Sequence, residues 1–210
     1  MKIVIFGASG KTGLLLVEHA LTKGYQVIAY IRKNKSLNYR HQNLLKVVGG
    51  LHDIDKLKEV ITGADACIST LGGGSLTQRA PQITKGIDNI VNVMEQQGVN
   101  RIIYLSSIGA GESRLFMPIY IRYFIADIML RLPLADHTAN EKRIANSKLH
   151  WTLVRPAELN DNLITEIIYH GAGKTKLKRK SSISRSNVAA FMLQQLTEIE
   201  YMNKSVWLHE

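Results

Sequence analysis

Short runs of β-branched and aliphatic residues alternate with segments of three-to-four-residue apolar spacing almost from end to end of the chain. That alternation is the signature of a parallel sheet wrapped by crossover helices. Strands are predicted at 2–6, 26–31, 44–48, 66–71, 101–106 and 151–155. Between the first two, Leu14, Val17 and Leu21 recur at helical spacing, and Gly24 stops the helix as a C-terminal glycine does. Further helices are predicted at 55–62, 78–97, 137–147 and 186–196, the last with Ser186 as its cap. Residues 206–208 add a short final strand. No internal repeat or low-complexity linker interrupts the order. The expectation is α/β: one doubly wound parallel sheet with helices on both faces. Residues 1–210 form a single domain, with a helical insertion at about 111–136 and a variable substrate-side loop at about 157–183.

At 210 residues and 45% hydrophobic content the chain can bury one sizeable core and is short for two. Its single cysteine, Cys67, excludes an internal disulfide and lies in an apolar run, as a small core residue does. No Cys/His cluster has metal-ligand spacing, so no metal is expected, and a reducing compartment fits. The amino-terminal apolar stretch is too short for a signal sequence, which makes the cytoplasm the expected location. A formal charge of +10 suits nucleic acid, an anionic membrane surface or phosphorylated small molecules. Much of it lies at 32–40 and 174–185. The second cluster has no interleaved aromatics and matches no DNA-binding motif, so a solvated loop is the better reading and nucleic-acid binding the weakest. Segment 115–135 is apolar but carries Arg122, Asp127, Arg131, Pro118 and Pro133, which speaks against a membrane span. It reads as a cover over a pocket or as a subunit interface, in a monomer or homodimer.

The chemistry begins at Gly7-Ala8-Ser9-Gly10-Lys11-Thr12-Gly13, which follows a strand and opens a helix. Gly7 allows a tight turn, Gly10 lets the backbone approach a pyrophosphate, and Gly13 lets the helix pack close to the strand. The unpaired N–H groups of Lys11, Thr12 and Gly13 then face the anion at the positive end of the helix. After the second strand an NAD-type site would carry a carboxylate for the ribose 2′-hydroxyl. Here stand Arg32 and Lys33, with Lys35 beyond, so a 2′-phosphate meets cations and NADP(H) is the expected cofactor.

These residues resemble the atypical short-chain dehydrogenase/reductase proteins of the NmrA-like and biliverdin-reductase-B/flavin-reductase type, which have a Rossmann-type fold. The likeness runs from Ile3-Val4-Ile5-Phe6-Gly7-Ala8-Ser9-Gly10 through Ala64-Asp65-Ala66 and Leu105-Ser106-Ser107 to Trp151-Thr152-Leu153-Val154-Arg155-Pro156. It also takes in Ile183-Ser184-Arg185-Ser186-Asn187-Val188-Ala189, with Asn187 where aspartate is usual. The resemblance implies cofactor contacts from Thr70, Leu71 and Gly72. It places Ser106 or Ser107 beside the nicotinamide, with Pro156 and Ala157 backing the carboxamide.

Two departures shape the expected function. Where the family often has Gly-Asp after the third strand, this chain has Gly49-Gly50, so adenine is left to packing on Leu51 and to backbone groups such as those of Gly50. None of the eight tyrosines has lysine four residues on, and the corresponding segment reads His137-Thr138-Ala139-Asn140-Glu141. Carbonyl-alcohol dehydrogenation through a Tyr-x-x-x-Lys pair is therefore not expected. What remains is hydride delivery to an acceptor that stabilises the added charge itself: a flavin, a quinone or a linear tetrapyrrole. Ser107 and His137 are the candidate catalytic residues, His137 as a proton donor titrating near neutral pH or else a capping or surface histidine. The alternative is an NADP(H)-binding redox sensor without turnover, which the missing pair equally allows.

Overall fold

The structure is a computed structural model that describes residues 1–33, 37–72, 75–117, 123, 129–164, 168–173 and 181–210. Lys35, Pro118, Arg122, Asp127 and the basic run 174–180, each weighed above, lie outside the described residues.

Strand β1 (Lys2–Phe6) is central, and it shows why the fold forms. Its side chains alternate between two cores: Ile3 and Ile5 join one, Val4 and Phe6 the other. A strand buried on both faces reads as an unbroken apolar run, as parallel strands do. The sheet then grows outward on both sides. β2 (Gln26–Ile31) and β3 (Leu44–Val48) lie on one side. On the other lie β4 (Ala66–Ser69), β5 (Arg101–Leu105), β6 (His150–Pro156) and, after a long excursion of the chain, β10 (Lys204–His209). The order is β3-β2-β1-β4-β5-β6-β10, all parallel, closed by antiparallel β8 (Tyr169–Ala172) at the edge. Two short strands, β7 (Glu158–Asn160) and β9 (Ser182–Ser184), pair with each other apart from the main sheet.

Helices cover both faces. α1 (Lys11–Thr22) lays Leu16, Val17, Ala20 and Leu21 on the first core beside Val188, Ala189 and Met192 of α5 (Arg185–Gln194). α2 (Ile54–Ile61), α3 (Pro81–Gln97) and α4 (Arg131–Ala145) cover the other, α3 through Ile87, Ile90, Val91 and Met94. Each of the leucine, isoleucine, valine and methionine side chains among these stabilises the fold by roughly 1.5–3 kcal/mol on burial. β1 lies between β2 and β4, where the winding reverses, so the crevice at the carboxyl ends of β1 and β4 is the switch point at which such sheets bind ligands.

Three expectations need correction. The cap of α5 is Ser184, whose hydroxyl accepts from the Asn187 N–H, while Ser186 lies inside the first turn with its hydroxyl 3.3 Å from His19. Ser184 wins because it closes β9, which pairs with β7 and brings buried Ile183 into the core. The predicted insertion does not end at 136: a short 3-10 turn at Gly111–Phe116 is followed by α4, one helix continuous from Arg131, with Pro133 in its first turn where no intrahelical N–H is needed. The 157–183 segment is partly regular, since it carries β7, β8 and the start of β9. Among the described residues no helix is long and apolar enough to cross a membrane.

Candidate functional site

The Gly7–Gly13 turn is locked by contacts that only glycine permits. Gly7 has φ +80°, and a Cβ there would meet the Thr70 hydroxyl at 2.7 Å; a Cβ on Gly13 would be 2.2 Å from the Gly7 carbonyl. Thr70 ties the ends of β1 and β4 together, its N–H donating to Phe6 and its hydroxyl reaching the Phe6 and Gly7 carbonyls. Gly10 is different. Its backbone is extended (φ −76°, ψ 163°), open to any residue, and a Cβ would find only the Gly7 carbonyl at 3.3 Å. The first intrahelical bond of α1 runs from the Leu14 N–H to Gly10, so the N–H groups of Lys11, Thr12 and Gly13 have no intrahelical acceptor and stand at the positive helix end.

Two cavities meet over this turn, sharing Gly10, Thr70 and Gly72. The smaller, about 580 Å³, is bounded by Gly7, Ser9, Arg32, Leu51 and Leu71. The larger, about 780 Å³, takes in Lys11, Thr12, Gly13, Ser106, Ser107, His137, Pro156 and Ala157, and its outer wall is apolar: Met117, Met129, Leu130, Leu134 and Leu159. Gly50 is turned away, its carbonyl accepting from the Tyr30 hydroxyl; Gly49 borders the smaller cavity instead. Lys33 is exposed and does not line it, although Arg32 does. Leu51 is held against Gly86 of α3, where a Cβ would intrude at 2.5 Å.

The serines differ in what their hydroxyls do. Ser107 donates to the Ile108 carbonyl, whereas the Ser106 Oγ is buried without a hydrogen-bond partner. A buried orphan hydroxyl costs about 1–3 kcal/mol, and a ligand amide in the larger cavity would satisfy it. Together with the open helix end and the cradle beside Gly10, it fits the site to a dinucleotide.

His137 is neither a surface residue nor a cap. It stands in α4 with its Nδ1 3.0 Å from the buried Tyr104 hydroxyl, which also accepts from Asn140. Burial pushes its pKa down to about 4 from 6.5, Asp136 opposing, so the near-neutral titration expected above does not hold. Below pH 6.5 the unfolded chain takes up a proton that the folded site refuses, so this residue makes stability fall as pH drops from 6.5 towards 4. The loss is about 3 kcal/mol. His137→Gln should flatten that part of the acid limb, measured as urea midpoints at neutral and acid pH; an unchanged limb would show that the imidazole is not the group titrating.

The rim is charged. Lys11 bonds Asp161 at 2.8 Å, and Asp161 also pairs with Arg185. The bond from Lys11 is the chief reason the Asp161 carboxyl is held below the usual range, with Arg185 assisting. Arg79 at the other cavity pairs with fully buried Asp136, which also accepts from the Ala80 N–H. Beneath the larger cavity Arg155 is gripped by Glu141 (2.8 Å) and Glu112 (2.7 Å). Burial works to lower its pKa, but the two carboxylates prevail and hold it above its ordinary value. Sequence reading missed Arg79 and Arg185 as parts of the cavity lining. Arg185 lies in a quoted signature, but nothing in the sequence pairs residue 79 with residue 136.

The family model described as NAD(P)H-binding matches residues 7–199. A protein of Arabidopsis thaliana named as uncharacterized and chloroplastic is 29% identical over 98% of this chain and 75% of its own length. Among solved structures, one titled ChuY, an anaerobillin reductase from Escherichia coli O157:H7, superposes with TM-score 0.80 at 22% identity, over 99% of this chain and 96% of that one. A short-chain dehydrogenase/reductase from Veillonella parvula, solved in complex with NADP, gives TM-score 0.81 at 16% identity, over 100% and 94%. At these identities the two structures establish a shared fold.

Proposed function

The chain belongs to the NAD(P)H-binding family, and on that premise we propose that it is an NADPH-dependent reductase acting on a flat conjugated acceptor of the flavin, quinone or linear tetrapyrrole class. One observation carries the reading: the phosphate turn lies at the junction of two cavities, one bordered by Arg32, the other a large chamber with an apolar wall. Bound NADPH supplies a hydride from C4 of its nicotinamide and leaves as NADP⁺, while the acceptor gains that hydride and one proton from water.

The chain does the rest. The N–H groups of Lys11, Thr12 and Gly13 hold the pyrophosphate, with Ser9 and Gly10 beneath it. Arg32 takes the 2′-phosphate; Leu51, Leu71 and neighbouring backbone bound the adenine side. Ser106, Ser107, Pro156 and Ala157 border the nicotinamide. Met117, Leu130, Leu134 and Leu159 cover the acceptor and exclude water, which aligns the reacting carbons and suits a planar apolar body. The NADP complex of the Veillonella protein and the name of the anaerobillin reductase agree with this cofactor and with a tetrapyrrole-class acceptor.

Steady-state NADPH oxidation with FMN, riboflavin, a quinone or a linear tetrapyrrole tests the proposal. Turnover of at least one acceptor is expected; tight NADPH binding with none turned over would replace it with the redox-sensing reading. Arg32→Ala should weaken NADPH by about 1–3 kcal/mol, the scale of a charge-assisted bond, and leave NADH nearly unchanged. Equal losses by fluorescence titration would show that the 2′-phosphate is held elsewhere.

A further inference from the structure

The rim of the larger cavity holds a charged clasp that the proposed reaction has not yet used. Lys11 opens α1 and Arg185 opens α5, and both side chains line the cavity. Asp161 follows β7 and joins the two without lining the cavity itself. Its Oδ2 accepts from the Lys11 Nζ at 2.8 Å, and its Oδ1 accepts from the Arg185 Nη1. One carboxylate therefore spans two cations that face the chamber, each of its oxygens taken by a different one.

We propose that Lys11 and Arg185 are specificity-determining residues for the acceptor: they hold an anionic tail, a phosphate or a carboxylate, at the rim of the larger cavity, and Asp161 occupies them until such a group displaces it. This rests on the reductase reading. It narrows the flat conjugated acceptor to one whose ring lies against the apolar wall of Met117, Leu130, Leu134 and Leu159 while its charged end reaches the rim. FMN and a linear tetrapyrrole with propionate side chains carry such a tail; riboflavin and a simple quinone do not. The oxygens of a phosphate or of a second carboxylate have nearly the spacing of those of Asp161, so the two donors need little rearrangement. Arg185 offers a planar fork suited to either group, and Lys11 a mobile point charge.

The energetics favour the exchange. The Lys11 side chain is 71% exposed and that of Asp161 60%, and ion pairs so open to solvent contribute little. Returning Asp161 to water therefore costs little, while a phosphate monoester brings up to twice its charge to the same two cations. Arg185 is better sheltered, its side chain 19% exposed, so water and salt screen it less. Among the described residues that line the cavity, Glu158 is the one carboxylate that opposes an anion, and it is exposed and screened.

Two probe pairs test this: FMN against riboflavin for a phosphate tail, and a linear tetrapyrrole diacid against its dimethyl ester for a carboxylate tail. Binding to the full chain is read without turnover, by tryptophan fluorescence titration in the presence of NADP⁺. The charged member of at least one pair should bind roughly tenfold tighter at low salt, the scale of one charge-assisted bond, and the preference should shrink as salt is added. Arg185→Met should remove the preference, and Arg185→Lys, which keeps the charge, should retain part of it. Asp161→Asn should enlarge it several-fold, because the competing carboxylate is gone. A clasp that only braces the chain would leave the preference unchanged in Asp161→Asn, and that result would overturn the proposal. A preference confined to FMN assigns a phosphate tail, and one confined to the diacid a carboxylate. Equal binding within both pairs, or a preference that Arg185→Met keeps, would also overturn it. Turnover of riboflavin and FMN with equal KM, and of diacid and ester likewise, would remove the tail site and leave the reductase reading intact. A tail preference with no acceptor reduced by NADPH would overturn the reductase reading and leave the anion site.

Discussion

Gly10→Val is expected to abolish binding of NADPH and NADH alike while the fold survives. The extended backbone at residue 10 suits valine, and the one close contact of a new Cβ is the Gly7 carbonyl at 3.3 Å, which a shift of a few tenths of an ångström relieves. Beyond it lie the two cavities that meet at this residue. The isopropyl group therefore takes the place of the pyrophosphate at the open end of α1, and no repacking returns it. A loss of more than about 3 kcal/mol, over a hundredfold in affinity, should appear in fluorescence titration beside a near-native thermal transition. Gly13→Val is the useful contrast: a Cβ 2.2 Å from the Gly7 carbonyl cannot be seated, and that variant should fail to fold. Retained affinity in Gly10→Val would mean that the dinucleotide does not cross this turn.

The largest expected effect on stability comes from Glu141→Leu. Arg155 is 5% exposed, and Glu141, at 4%, is its buried partner, holding Nε and Nη2 at 2.8 Å; Glu112 bonds the same guanidinium from an exposed position. Removing Glu141 leaves a buried cation facing only the outer carboxylate. The cost should be about 3–5 kcal/mol, which lowers Tm on the order of 10 °C. Glu112→Gln should cost under about 1 kcal/mol, because its charge is largely screened by solvent. If desolvation of the guanidinium is the cause, the double variant Glu141→Leu with Arg155→Leu should recover most of the loss. A double variant no more stable than the single one would show that the carboxylate acts through shape and not through charge. Gly111 enforces the same network: it has φ +53°, and a Cβ there would be 2.8 Å from Arg155 Nη2.

Much of the scaffold was legible in the residues because its signals are local. β1, β2 and β3 have the bounds that their apolar runs predict, and β4, β5 and β6 differ from prediction by one or two residues at their ends. All but the edge strand β3 are largely buried, which favours aliphatic side chains along them, while β3 half-buries only Leu44 and Val47 against the two cores. The short strands β7, β8 and β9 were not legible. They hold together by pairing with partners far along the chain, and runs such as Tyr169–Ala172 carry no strand periodicity of their own. Ser182, Ser184 and Ser186 all satisfy the local rule for a helix cap, and only the pairing of β9 with β7 selects among them.

The glycine turn belongs to the sequence. Its spacing and its place between an apolar strand and a helix sufficed to imply a bound dinucleotide, because the chemistry of a pyrophosphate against backbone N–H groups is complete within seven residues. His137 belongs to the tertiary structure. Its position on α4 follows from helical periodicity, but its lowered pKa comes from burial, and its hydrogen bond comes from Tyr104, 33 residues away on β5. Desolvation depends on everything that packs around a group, and so do the pairing of Arg79 with Asp136 and the apolar wall that three separate segments build over the larger cavity. A motif can specify what its own backbone will bind, but the shape and polarity of a chamber are properties of surfaces that meet only once the chain has folded.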